Sequence, residues 1–206
     1  MINSAQLKCL VVGDSGVGKT SLLSTYATRK YPTDHVPTVF DNFIVPFSND
    51  NKISHDMTGI EVTVCDTSSQ DGYTYMRQTM YPTSDIIIVC YAVDRPQTLE
   101  NVTKYWIPEI QHFQGPRPIP IVLVGTKSDL RDKAWYPVSR KTAAKVAKKC
   151  KAVTYMECSA LKNIGLTEIF ENVCAKMLDF TKHKKSHNKH RFISDFIKRF
   201  GAKFSF

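Results

Sequence analysis

Two short stretches carry residue types suited to phosphate chemistry. Gly13-Asp14-Ser15-Gly16-Val17-Gly18-Lys19-Thr20 fits the pattern G-x-x-x-x-G-K-[ST], between the strand-like run LKCLVV and the helix-like run SLLSTYAT. Glycines at 13 and 18 permit a tight wrap in which successive N–H groups point inward at phosphate oxygens. Lys19 is placed to reach β- and γ-phosphates, Thr20 offers a hydroxyl to Mg²⁺, and the following helix adds its positive dipole end. Further on, residues 65–73 read CDTSSQDGY, where Asp66 and Gln70 resemble parts of a nucleotide-hydrolysing site. Ser69 stands where such sites usually put Gly, because a backbone N–H must approach a phosphate there. The phosphate loop alone would serve a kinase or an ATPase equally well.

The elements that must position these residues follow from the apolar pattern. Strands are predicted over 7–12, 43–47, 60–65, 86–93, 119–125 and 153–158, and helices after the phosphate loop and over 98–113, 139–150 and 166–181. IIIVCYAV and IPIVLVG are continuous apolar runs, as expected for strands buried on both faces. Polar residues 48–58 suit a hairpin connection. Strand–helix alternation of this kind predicts an α/β fold, a mostly parallel six-stranded sheet with helices on both faces.

At 206 residues the chain has room for one substantial core. Apolar content of 42% and charged content of 23% are those of a soluble globular protein, and no run approaches the length of a membrane span. The six cysteines show no paired metal spacing and fall mostly inside predicted elements, so reduced core thiols of a cytosolic protein are expected. The net charge is +9, but residues 182–206 hold eight Lys/Arg against one Asp, leaving the body nearly neutral. The expected division is a globular body over 1–181 and a basic tail over 182–206.

Further segments resemble the small GTPases. Thr126-Lys127-Ser128-Asp129 follows a strand and resembles their N/T-K-x-D guanine motif. A carboxylate at Asp129 can accept from both guanine ring N1–H and its 2-amino group, donors that adenine lacks there. Cys158-Ser159-Ala160-Leu161 resembles the next base-contacting segment, where a backbone N–H meets the guanine oxygen. YPTDHVPTVFDNF (31–43) and DTSSQDGYTYMRQTMYPTSD (66–85) are similar to the first and second switches of the Rho type, so residues 5–181 resemble a Rho-like G domain of the P-loop NTPase class.

That resemblance implies binding of GTP and GDP with Mg²⁺, and slow hydrolysis. Gly13 to Ser21 would cradle the phosphates, with Ser69 donating to the γ-phosphate. Tyr31 would pack edge-on to the base, and Thr126, Lys127, Asp129, Ser159, Ala160 and Leu161 would surround it. Thr20 and Thr38 would bind the metal with Asp66 nearby, and Gln70, Lys19 and Thr38 would carry catalysis. Effector proteins would read residues 38–43 and the second switch, and exchange factors and activating proteins are implied as regulators. A monomer is expected, with no nucleic acid partner.

The chain also departs from the family. Ser15 and Ser69 replace glycines, which leaves two readings open: a slow switch, or a hydrolysis-deficient GTP-binding adaptor that tethers partners at a membrane. No arginine is placed by sequence as a finger in cis. Only 29 residues separate Asp129 from Ser159, too few for the extra helix of Rho proteins. No Cys follows Cys174, so no prenyl anchor is expected. Instead Phe192, Ile193, Phe196, Ile197 and Phe200 share one arc of a helical wheel in a basic segment, which suits an anionic membrane surface. The same pattern fits docking on the body, binding a partner protein, or an unstructured tail. The expected location is cytoplasmic, peripheral on a membrane if the tail binds lipid.

Overall fold

The computed structural model describes residues 6–32, 40–46, 61–67, 71–177 and 180. Six strands, β1 (Gln6–Gly13), β2 (Phe40–Pro46), β3 (Glu61–Thr67), β4 (Ile86–Ala92), β5 (Ile121–Thr126) and β6 (Thr154–Glu157), form one sheet in the order β2-β3-β1-β4-β5-β6. β2 pairs antiparallel with β3, and all other pairings are parallel. The expected hairpin therefore exists as a pairing, while its connection lies outside the described residues.

Alternation along the strands divides the apolar residues between two faces, as the pleat requires. On one face Cys9, Val11, Ile88, Cys90 and Val124 pack with Leu22 and Leu23 of α1 (Lys19–Thr28) and with Ile169, Phe170 and Val173 of a helix over 166–177, α6. On the other face Leu10, Val12, Ile87, Val89 and Leu123 meet three further helical layers. These are α2 (Thr74–Met80), the run α3 (Pro96–Asn101) to α4 (Ile107–Phe113), and α5 (Arg140–Lys149). Every residue of β4 and β5 is buried, which explains their unbroken hydrophobic sequence.

The single helix expected over 98–113 is interrupted by a π-helical segment, Val102–Trp106. Its wider turn brings residues five apart onto one face. As a result Asn101 and Trp106 both reach the phosphate loop.

Between the short turn Ser128–Leu130 and α5 there is no inserted helix, in line with the spacing of the sequence. The connection exposes Trp135 and Tyr136. Among the described residues no helix is long and apolar enough to cross a membrane. All six cysteines are free, and every one but Cys150 is buried. Burial pushes the Cys90 thiol up to about 12, so it remains protonated.

Parallel pairing brings the carboxyl ends of β1, β3, β4 and β5 to one edge. A crevice at that edge, where the connections diverge from β1, is where such sheets bind ligands.

Candidate functional site

The phosphate loop leaves β1 at Gly13, whose φ of +143° and whose closeness to β4 both demand glycine. A Cβ there would collide with the Cys90 backbone carbonyl. Gly18, at φ +94°, is the residue from which α1 starts. Val17 is fully buried and pins the middle of the loop into the core beneath α1.

Lys19 is buried, and its Nζ donates to the Gly13 carbonyl at 2.7 Å and the Asp14 carbonyl at 3.0 Å. Burial lowers its pKa, opposed by the field of Asp66. The Asp14 carboxylate turns away from the loop interior. It accepts from Asn101 Nδ2 at 2.6 Å and from Trp106 Nε1 at 2.7 Å, so its side chain fastens the loop to the π segment. The expectation that Asp14 contributes to the cradle thus rests on its backbone.

Thr20 Oγ1 donates to Asp66 Oδ2 at 2.5 Å, across 46 residues of sequence. Thr67 Oγ1 donates to the Val11 carbonyl at 2.7 Å and keeps the end of β3 against β1. Two oxygen donors of this kind fit a hard cation such as Mg²⁺. No group of three or more His, Cys, Asp or Glu side chains gathers among the described residues.

A cavity of about 250 Å³ opens beside the loop, lined among others by Gly18, Ser21, Tyr31, Lys127, Asp129, Ala160 and Leu161. The Lys127 Cε lies 3.9 Å from where a Gly18 Cβ would stand, so the lysine stem runs along the loop. Lys127 adopts φ +57°, the left-handed conformation that turns the chain into Ser128–Leu130. Burial lowers its pKa, while Asp94 opposes that shift.

Thr126 Oγ1 bonds the Val17 carbonyl and lies 3.0 Å from the Tyr91 carbonyl, linking the β5 end to the loop. It lines the cavity, but its hydroxyl serves the architecture. Ser159 is wholly buried and does not line the cavity. Its Oγ donates to Asp129 Oδ1 at 2.5 Å and accepts from the Lys162 N–H at 3.0 Å, while its own N–H donates to the Ile164 carbonyl at 3.0 Å. Ser159, expected at the base, is thus placed behind the Asp129 carboxylate, while Ala160 and Leu161 line the cavity.

Thr38, Ser69 and Gln70 lie outside the described residues, as do Val39 and His35. Asn42 is exposed on β2. An arginine is nonetheless brought to the loop: Arg95, at the end of the β4 connection, donates from Nη2 to the Ser15 carbonyl at 3.1 Å. Nothing in the spacing of the phosphate motif points to Arg95. The signal was the Asp-Arg-Pro that follows β4, which must emerge at the same sheet edge as Gly13 because β1 and β4 pair in parallel.

The chain compares as this geometry leads one to expect. The Ras family model matches residues 8–179. A protein described as "GTP-binding protein Rho1", from Kluyveromyces lactis, is 39% identical over 181 residues, covering 82% of this chain and 83% of that relative.

Proposed function

We infer that this chain, which belongs to the Ras family, is a GTP-binding switch of the Rho type that hydrolyses GTP to GDP. One observation carries the reading. The phosphate loop and the base cavity share Gly18, with the Lys19 ammonium on one side and the Ser159-held carboxylate of Asp129 on the other.

In this reading the N–H groups of the loop and Lys19 bind the phosphates and neutralise charge that develops during transfer. Asp129 accepts from the guanine ring, and Lys127 supports the base along its stem. Thr20 and Thr38, with Asp66 behind them, would hold Mg²⁺, which supplies further positive charge at the β- and γ-phosphates. Gln70 orients the attacking water. The γ-phosphate orders residues 35–43 and 66–77, and effectors read the difference.

Ser69 is proposed as a brake. Its N–H can still donate to the γ-phosphate, but a Cβ narrows the backbone range that Gly would allow. Ser15 adds a second side chain near the same phosphate. The test is single-turnover hydrolysis of preloaded GTP at saturating Mg²⁺, with the Ser69→Gly variant alongside. Slow hydrolysis to completion by the parent, and faster turnover by the variant, is expected. Tight GTP binding with no turnover in either protein would instead establish the adaptor reading.

The tail, residues 182–206, is proposed as a peripheral membrane element on the strength of its charge and aromatic spacing. It lies outside the described residues.

A further inference from the structure

Arg95 has a placement that its position in the sequence does not explain by itself. Besides the bond from Nη2 to the Ser15 carbonyl, its guanidinium lies over Gly16. A Cβ added to Gly16 would meet Nη2 at 3.4 Å, Nη1 at 3.8 Å and Cζ at 4.0 Å. The fork thus covers the outer side of the Ser15–Gly16 bend, where Gly16 takes a φ of +67°.

The base of the side chain is fixed independently. The Arg95 N–H donates to the Ala92 carbonyl at 3.0 Å, and its own carbonyl accepts from the Thr98 N–H at 3.0 Å and from Thr98 Oγ1 at 2.7 Å. Pro96 follows at the helix start and biases the residue before it to extended backbone, where Arg95 sits at φ −130° and ψ 90°. The Arg95 Nε is buried with no hydrogen-bond partner among the described residues. Desolvation of a charged donor is unfavourable unless an anion lies within reach of its field. That field extends into the cleft, since Arg95 helps to hold down the pKa of Lys127.

We propose that Arg95 is an intramolecular positioning residue for the nucleotide phosphates. It holds the Ser15–Gly16 curvature from behind by its carbonyl contact, so that the following N–H groups face inward. It also adds a third cation, after Lys19 and Lys127, to the cradle. The planar fork of arginine suits both tasks, whereas lysine would supply charge without the geometry. The result is slower nucleotide release. This rests on the reading that the cleft takes guanine nucleotide.

The experiment follows release of a fluorescent GDP from the full-length protein and from Arg95→Ala, Arg95→Lys and Arg95→Glu, at low and high ionic strength. Release from Arg95→Ala is expected to be faster by about tenfold, the scale of a lost charge-assisted hydrogen bond. Arg95→Glu should release faster still and Arg95→Lys between parent and Ala, with the differences shrinking as salt rises. Single-turnover hydrolysis by the loaded fraction is followed alongside release.

Release at the parent rate in all variants would overturn the proposal. So would equal acceleration in Lys and Ala with no salt dependence, which is the behaviour of a merely structural contact. Slower hydrolysis with unaltered release would make Arg95 a group that acts in the transition state, also against the proposal. Should Arg95→Ala fold poorly, the charge-retaining Lys variant against Arg95→Gln carries the same comparison. A parent that binds no GDP would refute the nucleotide reading itself, an outcome distinct from all of these.

Discussion

In the proposed role of Asp129 as guanine acceptor its carboxylate must be held still, and Ser159 bonds it. The bond joins side chains 30 positions apart, and the serine spends its own N–H and its second hydroxyl interaction on the turn that follows. Each part of that arrangement orients the carboxylate. Ser159→Ala should therefore weaken GDP binding by about tenfold, the scale of a hydrogen bond to a charged group. It should also narrow the preference for GDP over ADP, since misdirected oxygens no longer select the guanine donors. Calorimetric titration with the two nucleotides reads both effects. An unchanged GDP affinity would mean that Asp129 is oriented by something other than this hydroxyl.

At the scale of elements, α2 is tied to α4 by a buried ion pair. Arg77 Nε donates to Glu109 Oε1 at 2.8 Å and Nη2 to Oε2 at 2.9 Å, with both side chains almost fully buried. The Tyr81 hydroxyl adds a 2.5 Å bond to Glu109, and the Arg77 guanidinium lies 5.0 Å from the Trp106 ring centroid. Trp106 in turn bonds Asp14, so α2, within the second-switch stretch, connects through Arg77 and Trp106 to the phosphate loop. Rearrangement with nucleotide state is accordingly expected to be largest in the stretch before Arg77, with the end of α2 held by the Arg77 and Tyr81 bonds to Glu109.

Replacing Glu109 by Gln would take the carboxylate away from a buried guanidinium, and a loss of about 3 kcal/mol is expected from thermal or urea unfolding. The pH dependence has a definite sign. Burial alone would raise the Glu109 pKa, but the bonds from Arg77 and Tyr81 outweigh it and hold it below the ordinary 4.5. A depressed carboxyl pKa stabilises the fold above the unfolded value, and that stabilisation is lost as pH falls from 4.5 through the folded value. Stability of the parent should drop more steeply than that of Glu109→Gln over this acidic window. Parallel curves for the two proteins would show that the pair contributes nothing pH-dependent.

For the molecule as a whole, charge divides the chain into a nearly neutral body and a tail with eight basic residues. Each basic residue near an anionic surface contributes on the order of 1 kcal/mol, enough in number to hold the protein there if the aromatic arc inserts. Flotation with anionic liposomes is expected to recover the full-length protein in the lipid fraction. A variant carrying Phe196→Asp and Phe200→Asp should stay behind, and neutral liposomes should recover neither. Equal recovery of parent and variant from anionic liposomes would remove the membrane role of this face.

The sequence by itself determined the fold class, the phosphate loop, the guanine motif and the order of the strands along the chain. These are local signals: a glycine spacing that only one kind of loop requires, and apolar runs whose period announces strand or helix. Tertiary structure alone decided which distant residues meet. The π segment that turns Asn101 and Trp106 together onto Asp14, the serine behind Asp129, and Arg95 behind Ser15 all depend on parallel strands ending at one edge. The physical reason is that local pattern fixes backbone conformation, whereas a partner across 30 or 80 residues is chosen by strand register and packing.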